Sequence, residues 1–293
     1  MKIQEQLIEL ETDDAVKIAL WKICSPKKTS EKNIFLTHGT FSNKKICLGI
    51  AKYFVNKGYT CWILEWRNHG NSSKAKNNFD FETIGMFDIK TAFKYLISTL
   101  NIKNINCVTH SGGGISLTIF LLQHKEYVRN INSITMFNCQ SFGAVNAKKD
   151  YLKILLSKSI SYLLGYVPGI KLRLGEHNEK YSTMKQWFDW NLNKNFKGKN
   201  GFDYFENMQF ITIPILSICG EGDKFIAPKR GCEKFINAFN NKNNKLVVCS
   251  VENGFNEDYN HSRTILSKNA SREIWKLSLD WIEKARKNYP KHA

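Results

Sequence analysis

Residues 105–122 read Ile105-Asn106-Cys107-Val108-Thr109-His110-Ser111-Gly112-Gly113-Gly114-Ile115-Ser116-Leu117-Thr118-Ile119-Phe120-Leu121-Leu122. The apolar, β-prone run ending at Val108 predicts a strand, and the run from Ile115 to Leu122 predicts a helix. The chain must therefore reverse from strand to helix within a few residues, with Ser111 at the apex. Such a turn strains the backbone of the apex residue and calls for small residues two before and two after it. Gly113 meets the second requirement. Thr109 stands at the first, where glycine is the norm.

Outward from this turn, apolar strands alternate with helical stretches. Gln6–Glu11 and Ala15–Trp21 alternate apolar and polar residues around Asp13-Asp14, which reads as an antiparallel hairpin. Asn33–Thr37 is a short strand ending in His38-Gly39-Thr40. A helix over Ile46–Asn56, a strand over Tyr59–Trp66 and a helical stretch over Phe81–Leu100 follow. After the central turn comes a strand over Ile131–Cys139. The alternation then breaks. Residues 142–208 hold helical pieces, many basic residues and the aromatics Tyr151, Tyr162, Trp187, Phe188 and Trp190. From Ile211 it resumes, with a strand (Ile213–Cys219), a helix (Arg230–Phe239), a strand (Lys245–Val251) and a final amphipathic helix (Ser271–Lys287). Alternation of this kind predicts an α/β fold, a mostly parallel sheet covered on both faces with an antiparallel edge. Residues 1–141 and 209–293 would make the core. Residues 142–208 would be a helical cap inserted above the carboxyl ends of the strands, where such sheets place their sites.

Composition narrows the function classes. With 293 residues, 42% apolar and 13% aromatic, the chain can bury a substantial core. It contains no apolar run of 18 residues, and Met1–Asp14 is polar and acidic, unlike a secretory signal. The expectation is a soluble cytoplasmic protein. Eight cysteines without a C-x-x-C pair read as buried reduced thiols, and no metal site is expected. Lysine plus arginine (43) exceed aspartate plus glutamate (26), a formal charge of +17. The lysines are scattered, and no zinc-finger, RRM or KH signature accompanies them, so a specific nucleic-acid partner is not expected. A basic surface leaves peripheral contact with anionic lipid open.

A serine hydroxyl is a weak nucleophile at neutral pH and needs a base, which in turn needs an orienting carboxylate. On a strand–turn–helix serine, these partners follow in chain order, acid and then histidine. His124, His177, His261 and His292 follow Ser111. His124 falls at the helix after the turn, His177 in the inserted segment, and His292 next to the last residue. His261 lies after the last strand, where the base belongs. Asp223, in the loop after the strand before that, is the acid of choice, with Glu221 and then Asp258 behind it. An oxyanion would need two N–H donors. Gly112 would supply one at its helix N-terminus. The other would come from the loop after Thr37, at Thr40 or, next, Phe41. His38 reads as a structural histidine of that loop.

These pieces together resemble the serine esterase and lipase branch of the α/β-hydrolase superfamily, over nearly the whole chain. The resemblance rests on His38-Gly39-Thr40, on Trp66-Arg67-Asn68-His69-Gly70-Asn71-Ser72 and on the turn at Thr109–Gly114. It rests also on Gly220–Pro228, on His261, and on the helix from Asp80 to Leu96, which is similar to that of acid-lipase-like members. The resemblance implies a lysophospholipase- or lipase-like enzyme without cofactor, with Ser111, Asp223 and His261 as a catalytic triad. The inserted cap would overlie an acyl pocket, to which Phe41, Trp187, Phe188 and Trp190 are assigned. A small-molecule or lipid ester is the expected substrate. Thioester, amide, peptide and acyl-transfer chemistry on the same triad, or a catalytically silent binding role, are the competing readings.

Overall fold

The computed structural model describes residues 2–26 and 30–288. The residues flanking Asp13-Asp14 pair as an antiparallel hairpin, β1 (Gln4–Glu11) with β2 (Lys17–Cys24), in the register Leu7 to Trp21. β2 then runs antiparallel to β4 (Thr60–Glu65). The remaining strands, β3 (Asn33–Thr37), β5 (Ile105–His110), β6 (Ile131–Phe137), β9 (Ile215–Gly220) and β10 (Lys245–Cys249), add in parallel. The eight-stranded order is β1-β2-β4-β3-β5-β6-β9-β10.

The central strands are apolar at successive positions because both faces of the sheet are covered. Ile34 and Leu36 point into one core layer and Phe35 into the other, as the two-residue period of a strand requires. The first layer is closed by α1 (Lys44–Asn56) and the last helix, α7 (Lys268–Asn288), through Ile50, Phe54, Ile274 and Ile282. The second is closed by α2 (residues 81–99), α3 (Gly112–Gln123) and α6 (Lys229–Asn237), through Phe93, Phe120 and Phe235. Every residue of α3 from Gly112 to Leu122 is buried, which is why that helix reads as apolar all round. α2 departs from the single regular helix that its spacing predicts. It winds as π-helix over Ile84–Ile89 and Tyr95–Thr99, with α-helical turns before each.

Residues 142–208 leave the sheet after β6 and return before β9. They hold α4 (Lys148–Leu164), α5 (Tyr181–Asn193) and the short helix Tyr204–Asn207. They also hold a two-stranded sheet absent from the sequence reading, β7 (Tyr166–Val167) with β8 (Glu179–Lys180). Strands of two residues carry no periodicity to detect. The segment packs over the carboxyl ends of the strands: Ser182 and Thr183 of α5 donate hydrogen bonds to the Phe79 carbonyl in the loop after β4. All eight cysteines are free thiols, seven of them buried. No helix among the described residues is long and apolar enough to cross a membrane.

Candidate active site

The turn between β5 and α3 brings Ser111 to φ +52°, ψ −126°, a backbone conformation that costs a non-glycine residue energy. Its neighbours hold it there. The Ser111 N–H donates to the Phe137 carbonyl at the end of β6 (2.8 Å), and the Gly114 N–H donates back to the Ser111 carbonyl (3.0 Å). A Cβ at Gly113 would stand 2.6 Å from the His38 carbonyl oxygen, so that position is closed to larger residues. Thr109, the irregular residue of the motif, is fully buried with its hydroxyl beside the Cys139 thiol (3.8 Å). Its Oγ1 lies 3.1 Å from where a Gly114 Cβ would be. The third glycine of the run thus provides the room that a glycine at 109 would otherwise leave.

The Ser111 Oγ lies 2.8 Å from His261 Nε2, and His261 Nδ1 lies 2.5 Å from Asp223 Oδ2. His261 follows β10, and Asp223 follows β9. A carbonyl or carboxylate can only accept, so Nδ1 donates to Asp223 and Nε2 is free to accept from the serine hydroxyl. Asp223 is 5% exposed. Burial alone would raise its pKa. The adjoining imidazole, with the Asn138 amide and the Ala227 N–H, outweighs burial and lowers it to about 2, and the Ile226 N–H donates to the other carboxylate oxygen (3.1 Å). It is therefore a fixed anion across the neutral range. Glu221 is engaged by Lys224, and Asp258 accepts from the Val251 N–H (2.9 Å). Neither reaches the imidazole. His177 sits with Asn43 (3.0 Å), and His124 caps the end of α3. His292 lies outside the described residues.

Two residues that the sequence reading passed over complete this arrangement. Asn138, at φ +50° just past β6, donates to Asp223 Oδ2 (3.0 Å) and accepts from the Thr264 hydroxyl (2.8 Å). It ties the acid loop to the turn that follows His261. His110, beside the serine, donates through Nε2 to the His261 carbonyl (3.0 Å), and its ring packs edge-on against that of His261 at 4.9 Å. Burial drives the His110 pKa down to about 3, so this histidine is neutral and serves as a brace. An asparagine directly after an apolar strand was the available signal for the first, since Asn tolerates positive φ.

The loop after β3 lies directly against the serine. A Cβ on Gly39 would fall 2.6 Å from the Ser111 Cβ and 3.1 Å from the Gly112 nitrogen. His38 is fully buried. The Trp66 N–H donates to its Nε2 (3.2 Å) and its Nδ1 donates to the Gly39 carbonyl (2.7 Å), which shapes the loop. The N–H groups of Thr40 and Gly112 have no hydrogen-bond partner among the described residues. Phe41, the second choice for the oxyanion donor, is already committed: at φ +63°, its N–H donates to Glu179 Oε1 (2.7 Å).

That carboxylate comes from β8 in the inserted segment and is 1% exposed. It also accepts from His69 Nε2 (2.7 Å), whose Nδ1 donates to the Arg67 carbonyl (2.9 Å). Both His69 nitrogens thus donate, which requires the imidazolium form. Burial opposes that charge, but Glu179 prevails and the His69 pKa is raised. The segment grips Phe41 at a second point, where the His177 backbone N–H donates to the Phe41 carbonyl (3.1 Å). Glu179→Ala would strand two buried N–H groups. It should lower stability by about 2–4 kcal/mol, read as a lower urea midpoint at unchanged slope. An unchanged midpoint would show that the pair contributes nothing.

Of the four residues assigned to an acyl pocket, all are buried. Phe41 is 7%, Trp187 9%, Phe188 4% and Trp190 2% exposed. The Trp190 indole N–H donates to the Lys197 carbonyl (2.7 Å), and its ring packs on Phe81 (5.6 Å) and Phe196 (4.9 Å). It joins the inserted segment to the core. Arg67 is likewise structural, buried between Asp88 (2.8 Å) and Asp14 (2.6 Å). No group of three or more His, Cys, Asp or Glu side chains that could hold a metal occurs among the described residues.

Residues 32–157 match the family model described as the alpha/beta hydrolase fold. The chain has the α/β-hydrolase fold. Solved structures of this fold align over almost its whole length. The esterase Pf2001 of Pyrococcus furiosus aligns with a TM-score of 0.62 at 19% identity, covering 96% of this chain and 92% of that one. An esterase from Exiguobacterium antarcticum aligns at 0.66 with 14% identity, covering 94% and 98%. DcsB, solved with its substrate analogue, aligns at 0.70 with 17% identity, covering 96% and 100%. No curated protein matches the sequence. In this α/β hydrolase fold the Ser111 turn and the loops that carry Asp223 and His261 all open at the carboxyl ends of β5, β9 and β10.

Proposed function

We propose that the protein is a serine ester hydrolase that cleaves carboxylic esters carrying an apolar acyl group. The observation that carries this reading is the continuous relay from Ser111 through His261 to Asp223, at 2.8 and 2.5 Å. In this reading, His261 Nε2 takes the hydroxyl proton as Ser111 Oγ attacks the ester carbonyl carbon. The negative oxygen that forms is received by the unpartnered N–H groups of Gly112 and Thr40, aided by the N-terminal end of α3. The tetrahedral species collapses, the alcohol leaves with the proton held by His261, and Ser111 retains the acyl group. Water then repeats the sequence and releases the acid. Asp223 stays ionised throughout and stabilises the imidazolium.

Residues 142–208 act as the cap over the acyl site in this proposal, and their buried aromatics, with Phe41, favour an apolar acyl group. The esterases among the structural neighbours support the same class of bond. A fluorophosphonate reagent tests the proposal directly. The folded protein should incorporate one label, at Ser111, and Ser111→Ala should take none. Absence of labelling in the folded wild-type chain would sink it. Panels of oxygen ester, thioester and amide substrates, with Ser111→Ala as control, then separate ester hydrolysis from its neighbours on the same triad.

A further inference from the structure

The helix α4 is apolar on the wrong side for a protein surrounded by water. Twelve of the eighteen large hydrophobic residues exposed on the described surface fall between Tyr151 and Leu174. α4 meets the rest of the protein along a narrow line through Ile154 and Ser161, which are buried, and Lys158, which pairs with Asp189 of α5. Leu152, Leu156, Ile160 and Leu163, spaced three to four residues apart, form a stripe on the opposite side. They are 61%, 63%, 47% and 82% exposed. Ile170 and Leu172, in the turn that follows β7, are 58% and 56% exposed. A helix packed in the ordinary way buries its leucines and shows its lysines to solvent. Here leucines face out along the whole length of the helix.

The charges around this stripe say what it meets. Residues 148–174 contain Lys148, Lys149, Lys153, Lys158, Lys171 and Arg173 against one acidic residue, Asp150. Asp150 is spent on the helix start, where it accepts from the Ala147 N–H (3.0 Å). Lys148, Lys149, Lys171 and Arg173 have no carboxylate partner among the described residues. An apolar helix face bordered by unpaired cations matches the boundary of an anionic bilayer, where leucines enter the acyl region and ammonium groups meet the phosphates.

We propose that α4 and the turn after β7 dock the protein onto the surface of an anionic phospholipid membrane. The helix lies parallel to that surface with Leu152, Leu156, Ile160 and Leu163 inserted. Lys153 places this face beside the site, because its ammonium lies over the Phe225 ring (5.6 Å), two residues past Asp223. Docking would therefore bring the bilayer to the edge of the acid loop. The proposal goes beyond the hydrolytic reading and does not depend on it.

The test is cosedimentation of the full chain, carrying Ser111→Ala to prevent turnover, with phosphatidylcholine vesicles containing or lacking phosphatidylglycerol. The protein should bind the anionic vesicles, with weaker binding at higher salt. Combining Leu152→Gln, Leu156→Gln and Leu163→Gln should lower the partition constant at least tenfold. Combining Lys148→Glu with Lys149→Glu should lower it by on the order of tenfold on anionic vesicles and leave neutral vesicles unaffected. Circular dichroism and urea midpoints should match the parent, since all five residues are solvent-facing. Failure of the parent to bind anionic vesicles, or unchanged binding of the leucine triple variant, would overturn the proposal. So would self-association of the parent, abolished by the same leucine changes, without vesicle binding; the face would then belong to a second copy of the chain.

Discussion

His261→Ala should lower kcat/KM on a soluble short-chain ester by about three to six powers of ten and leave the fold intact. Among the described residues, the imidazole is the group that hydrogen-bonds the Ser111 hydroxyl and can take its proton, at 2.8 Å. Without it the serine must attack as a neutral alcohol, and only binding and the N–H groups at Gly112 and Thr40 remain to assist. The fold should tolerate the loss because the partner left behind is not stranded. Asp223 keeps Asn138 and the N–H groups of Ile226 and Ala227. The His261 side chain is itself 19% exposed. The urea midpoint should therefore change by no more than about 1–2 kcal/mol equivalent. Turnover comparable to wild type would assign the base elsewhere.

Asp223→Asn should cost about three to four powers of ten in kcat. The amide is nearly isosteric, so the loop should keep its shape. What changes is the proton inventory around His261. The carboxylate can only accept, which holds the imidazole with its proton on Nδ1 and its free lone pair on Nε2, toward the serine. An asparagine in the same place can present its NH2 to Nδ1 and invert the tautomer. Nε2–H would then point at Ser111 and could not accept its proton. The variant also removes the anion that stabilises the imidazolium in the transition state. Steady-state kinetics on the variant, with its fold verified by circular dichroism, would check this. Near-normal turnover would contradict the assignment, although Glu221 and Asp258 are both turned to other partners.

How far these residues can be read from sequence depends on the reach of the interaction. The serine turn is local: strand, apex and helix lie within 18 residues, and their residue types state the geometry. Asp223 and His261 are distant from it, but the order of strands carries them to the same end of the sheet, so chain order substitutes for distance. The sheet itself is legible because its parallel strands are apolar on both faces. The pair of His69 with Glu179 has no such signal. Its members are separated by 110 residues and meet only because the inserted segment folds back over the loop after β4. The π turns of α2 are hidden for another reason. A one-residue widening of the turn barely disturbs the spacing of Ile84, Ile89, Ala92 and Leu96. Phe41 qualifies as a donor by position, and position alone cannot say that its N–H is already taken. Asn138 and His110 read as ordinary strand-end residues until the acid loop is laid beside them.

The tie from Glu179 to Phe41 and His69 divides the inserted segment into two parts that are anchored differently. Residues around β8 are anchored to the loop beside Ser111, so a change there reaches the turn that carries the serine. α4 is held by little more than one line of contacts and touches none of the groups that would do chemistry. Substitutions on the outer face of α4 should therefore leave the Ser111–His261–Asp223 geometry unaltered, whereas substitutions around β8 should not.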